Sequence, residues 1–245
     1  MIKKLASSFS FFVFTGITLG LLTGGFPAYT NEISMASLIT AMTFSLLPIS
    51  FTSFSLKKGG KNIAVSLLIN FGFLSTLTIA LGLLFPEKIM NGFIVMAAVP
   101  TAIAVLPITT LLKGDVKYTL LSLSSMYLAS FLITPFIILL FLQKEVNTTA
   151  LLRDILLLIA LPLVLSRFVR RIKMPKELPR IIANICFLLL VFGIIGKNRS
   201  FLFYNMEIVL LISAALFIRT FGSGILIKLI GKRKRLKDEE IIPWL

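Results

Sequence analysis

The chain is 245 residues long, 57% hydrophobic and 14% charged, with a mean hydropathy of +1.00 and a formal net charge of +15. So apolar a composition excludes a soluble domain, and the charge does not point to nucleic acid, because the basic residues sit in short loops between apolar runs, where they encode membrane topology. His is absent and Cys186 is the one cysteine, which excludes an intrachain disulfide and argues against a His- or Cys-based metal or catalytic site.

In chain order, the first apolar stretch covers about Leu5 to Gly25 and ends on Gly24, Gly25 and Pro27. Its length and the lack of a small-residue cleavage site mark it as a retained helix rather than a signal peptide. The second runs from about Ser34 to Phe54, bent by Pro48 and followed by Lys57, Lys58 and Lys61. A third spans about Asn62 to Phe85, and Pro86 closes it.

The fourth stretch, Glu87 to Val116, is long and apolar enough to cross a bilayer but carries Pro100 and Pro107. Each proline removes an amide donor and clashes with the carbonyl four residues back, so the carbonyls of Met96 and Ile103 lose their usual partners. In hydrocarbon such groups need replacements, and irregular backbone survives there only inside protein or beside a water-filled cavity. Two half-helices are expected, about Lys88 to Val99 and Ile103 to Leu112. A kinked but ordinary helix is the plainer alternative, since proline is common in membrane spans. Ala97, Ala98, Ala102 and Ala104 suit a close backbone crossing and suit plain helix packing as well.

The fifth helix runs from Val116 to about Leu142 with Pro135 in its outer third. A polar link then leads to a sixth at about Leu151 to Val169, a seventh at Leu178 to Ile195 and an eighth at Phe203 to Ile230, followed by the basic tail GKRKRLKDEE. Counting the broken stretch once gives eight crossings. With the amino terminus inside, most of the 25 Lys and Arg fall on the inner side, as the positive-inside rule demands, and both termini are cytoplasmic in the cell membrane. Glu207 and Arg219 share the eighth helix about 18 Å apart along its axis, too far to pair. Snorkelling to the outer and inner interface respectively is the expectation for these two. Asn70 and Asn184 lie at mid-helix depth, where an interhelical hydrogen bond is the ordinary role.

Pro100, then Lys113-Gly114-Asp115 thirteen residues on, then Thr134-Pro135 in the next helix resemble the bile acid:sodium symporter family, whose fourth helix carries C-P-G-G-T-A-S-N ending in a K-G-D/N turn. MTFSLLPISFTSFSLKK stands where that family has its second helix. The resemblance implies an all-α inverted-repeat transporter with a broken fourth helix. The first five-helix repeat would occupy residues 1–143, a partial second repeat 148–230 and a cytoplasmic tail 231–245. Family proteins have ten helices; this sequence stops at Leu245, so the resemblance implies an incomplete second repeat, with a second chain as one source of the remaining helices.

The resemblance implies a carrier of small organic anions with sodium as candidate coupling ion. The candidate site residues are Asn70, Pro100, Thr101 and Thr119, which the resemblance aligns with the family's site, together with Pro107 from the second break and Thr109, a threonine placed to face the crossing; Asn70 and Thr119 are the candidate sodium ligands. The amide end of the helix after Pro100 would attract the anion, with Thr101 near it. The departures are specific: the family's glycines fall on Thr101 and Ala102, its sodium-binding Ser-Asn on Val105 and Leu106, and its helix-5 Ser and Thr on Thr119 and Leu123. An auxin-efflux-type or arsenite-type permease and an inactive fragment or subunit are the alternatives within this architecture. An enzyme is not expected, for want of His or a close carboxylate pair; no cofactor and no nucleic-acid partner are expected either, and the lipid bilayer is an expected partner beside the anion.

Overall fold

The structure is a computed structural model, and it describes residues 8–47, 63–100, 105, 109, 114–142, 148–175 and 177–233. Among these every regular element is helical. We number them α1 Phe9–Thr23, α2 Thr30–Ser45, α3 Ile63–Gly82, α4 Glu87–Ala98, α5 Val116–Phe141, α6 Thr148–Val169, α7 Leu178–Lys197, α8 Arg199–Tyr204 and α9 Met206–Arg233. Four of them, α3, α5, α7 and α9, are long and apolar enough to cross a membrane; α1 and the Leu157–Val169 part of α6 are shorter apolar helices. The protein is therefore an all-helical membrane protein. Pro48 and the basic tail beyond Arg233 lie outside the described residues.

The chain divides into two compact units, one from residues 1–48 and 155–210, the other from residues 49–154 and 211–245. Units of this kind gather elements by contact, whereas sequence repeats are consecutive, so this partition is independent of the repeat boundaries expected from sequence.

In the first unit α7 packs against both α1 and α2. Gly24 ends α1 as expected: it adopts the left-handed conformation at φ 85°, and its N–H returns to the Gly20 carbonyl at 3.0 Å. Small residues let the backbones meet, because a Cβ at Gly16 would stand 2.8 Å from the Leu188 carbonyl and one at Gly196 would run into the backbone of Gly24 and Gly25. Phe26 and Phe192 meet edge to face at 4.8 Å, and Lys197 Nζ donates to Asn31 Oδ1 at 2.7 Å. The sequence places the eighth helix from Phe203; the structure instead turns at Asn205, between the short α8 and the long α9.

In the second unit α4 packs on α3 and α5. α5 is the most enclosed long helix, with half of its apolar window buried against 11% for α9, so α5 forms the spine of this unit. Pro135 and Pro162 both lie inside continuous helices, α5 and α6. Two stretches depart from α geometry into π turns, Leu68–Leu74 within α3 and Ile218–Gly222 within α9. Such wide turns are frequent at functional positions.

Candidate site at the interrupted helix

α4 stops at Ala98, and Val99 is extended at φ −85°, ψ 149°. The cause is local: the ring of Pro100 disfavours α geometry in the residue before it. The α4 helix thus ends before Pro100, and most of the second half-helix expected over Ile103 to Leu112 lies outside the described residues. The last carbonyls of any helix lack internal partners, and here two of them are met from neighbouring helices. Ser75 Oγ on α3 donates to the Ala97 carbonyl at 2.6 Å, and Thr134 Oγ1 on α5 donates to the Ala98 carbonyl at 2.6 Å. The sequence reading named the carbonyls of Met96 and Ile103; the ones seen capped from neighbouring helices are those of Ala97 and Ala98, and Ile103 lies outside the described residues.

The second unit carries buried hydroxyls along α3 and α5. Ser66, Ser75, Thr78, Thr119, Ser122, Ser130 and Thr134 are all almost fully enclosed. Ser66 Oγ donates to Ser122 Oγ at 3.1 Å and sits 3.0 Å from Tyr118 Oη, joining α3 to α5. Most of the others return a bond to their own helix, as Thr78 does to the Leu74 carbonyl at 2.6 Å.

Of the residues singled out in the sequence, Asn70 is 5% exposed and lies in the π turn of α3, where its carbonyl sits 3.1 Å from Ser75 Oγ. Ser75 therefore connects Asn70 to the end of α4. Pro100 sits immediately past the break. Thr109 and Thr119 are enclosed and adjacent, their Oγ1 atoms 3.3 Å apart. Each hydroxyl has one proton, and each also donates to its own backbone, Thr109 to the Val105 carbonyl and Thr119 to the Asp115 carbonyl, both at 2.9 Å. What the pair presents together is acceptor oxygen. Thr101 and Pro107 lie outside the described residues, as do Ala102, Ala104 and Leu106.

The Gly114-Asp115 turn has a mechanical role. Gly114 N–H reaches back to the Thr109 carbonyl at 2.9 Å, and Asp115 caps α5 by accepting from the Tyr118 amide at 3.0 Å. This cap starts α5 at Val116, and the turn brings Thr119 back beside Thr109. Val105 and Leu123, where the resemblance calls for oxygen ligands, carry no side-chain oxygen.

Arg219 does not extend along its helix to an interface. Its Nε donates to Thr78 Oγ1 on α3 at 2.7 Å, and the side chain is half-buried. An arginine at mid-span costs about 2.5–3.5 kcal/mol on insertion scales, and Thr78 meets only one of its five N–H donors. Glu207, in contrast, is exposed in the first turn of α9. Asn184 is buried on α7, and its Nδ2 has no partner among the described residues.

Sequence reading missed Ser75, Thr78 and Thr134 as site-building residues. A serine or threonine inside an apolar helix gives no signal of which foreign carbonyl it will reach, although the Thr134-Pro135 pair was visible as a motif. No protein-family model and no curated protein matches this chain.

Proposed function

We propose that the chain is a secondary carrier of a small organic anion, of the bile acid:sodium symporter type, working by alternating access. On this reading the chain makes eight crossings with both termini in the cytoplasm, and the second unit is the core bundle that carries the interrupted helix. The observation that supports it most is the end of α4, where two backbone carbonyls are capped by Ser75 and Thr134. Broken backbone in a membrane protein is tolerated where protein or a wet cavity satisfies it, and transporters use such ends to hold substrate. Sodium is the candidate coupling ion, with Asn70, Thr109 and Thr119 as the oxygen donors. Val105 and Leu123 leave that donor set thin, so the coupling is expected to be weak.

Counterflow tests the reading without assuming a coupling ion. Proteoliposomes loaded with an unlabelled small carboxylate should accumulate the same labelled carboxylate above protein-free liposomes, across a panel that includes octanoate and cholate. Sodium should raise the rate only modestly. No counterflow with any carboxylate of the panel would end the proposal.

A further inference from the structure

We propose that Arg219 is the residue that binds the charged group of the substrate, a carboxylate on a single chain or ring. The inference rests on the carrier reading and adds a residue and a substrate class to it. Arg219 is near the midpoint of the 28-residue run Met206–Arg233, about 20 Å from each end at ~1.5 Å per residue. It is the one ionisable side chain between Glu207 and Lys228. Among the described residues no carboxylate lies within ion-pair distance of it, and its two Nη groups have no partner.

The one bond it does make fixes its direction. Nε donates to Thr78 Oγ1, which is fully enclosed and itself donates to the Leu74 carbonyl. The guanidinium is therefore held by one edge while its Nη fork remains available for a planar, two-oxygen acceptor. The Ile218–Gly222 π turn carries Arg219, and a wide turn at this point alters the direction of the side chain relative to regular α geometry. A tie between two helices alone needs no charge, and a neutral hydroxyl or amide would serve.

One and two turns before Arg219, Leu216 and Ile212 line an apolar groove with Lys88, Phe93 and Met96 of α4. Its volume is about 280 Å³, at the lower edge of the range of roughly 300–1,000 Å³ that holds drug-sized ligands. That volume accommodates a single chain or ring. The depth of Arg219 argues for a free anion over a lipid, because a lipid headgroup stays at the interface, far from mid-span.

The test measures binding of labelled octanoate to the full chain in phosphatidylcholine nanodiscs, with empty nanodiscs subtracted. Wild type should bind octanoate, Arg219→Gln should weaken binding at least tenfold, and Arg219→Lys should fall between them. Gly92→Leu gives an independent variant: an added Cβ there meets nothing within 4 Å, so the fold should hold while the groove fills and binding drops. Arg219-dependent binding without counterflow would sink the carrier reading and leave this assignment standing. Counterflow retained in Arg219→Gln would do the reverse. Octanoate binding that is absent in wild type, unchanged in both the Gln and Leu variants, or abolished by adding phosphatidylglycerol would overturn the assignment, the last by giving the guanidinium to a lipid.

Discussion

Thr134 Oγ1 on α5 donates to the carbonyl of Ala98, the last residue of α4, across 2.6 Å. Thirty-six residues separate the two in sequence, and the bond converts a helix end that would be intolerable in hydrocarbon into a satisfied one. It also gives the Thr-Pro pair of α5 a physical role: the threonine reaches the break while Pro135 stays within a continuous helix.

Removing that hydroxyl should expose the carbonyl. Thr134→Val keeps the volume and loses the donor, and we expect a loss of roughly 1–2 kcal/mol in stability, read as a lower unfolding midpoint in detergent or nanodiscs. Thr134→Ser should recover most of it. Equal stability of the Val variant and wild type would show that the bond is not needed at the break.

The α1–α7 contact depends on the missing side chain of Gly196. Gly196→Leu would drive a side chain into the backbone of Gly24 and Gly25, and backbone cannot move aside as a flexible side chain can. A loss of about 1–3 kcal/mol or more is expected from overpacking, visible as reduced monodisperse yield and a lowered melting temperature. Gly72→Ala, where an added Cβ meets nothing within 4 Å, is the control and should be close to neutral.

Asp115 caps α5 through the Tyr118 amide. Asp115→Ala should cost about 1 kcal/mol and Asp115→Asn much less, because an asparagine oxygen caps nearly as well. If the cap also sets the approach of Thr119 to Thr109, counterflow in Asp115→Ala should fall more than the stability change alone explains. A purely structural cap would leave the rate per folded molecule unchanged.

Within the proposed carrier, Thr119 is 1% exposed and sits beside Thr109. Thr119→Lys should abolish counterflow. A lysine at Leu132, which is 80% exposed on the same helix, should mainly reduce insertion and leave the activity of the inserted fraction intact. Parallel loss at both positions would remove support for a role of Thr119 in transport.

The sequence by itself determined that this is a helical membrane protein, that a run from Glu87 is interrupted at Pro100, and that Gly24 closes the first helix. All three follow from local chemistry: apolar run length, a ring that excludes helical geometry in its predecessor, and a residue without Cβ. Asn70, Thr109 and Thr119 were also visible as polar residues in apolar surroundings. The tertiary structure decided which groups meet. That Ser75 and Thr134 serve Ala97 and Ala98, that Thr109 and Thr119 touch, and that Arg219 turns to Thr78 instead of an interface depend on how separate helices are placed. Hydropathy carries the cost of leaving a group in lipid, but the identity of its partner is fixed only when two helices come within hydrogen-bond distance.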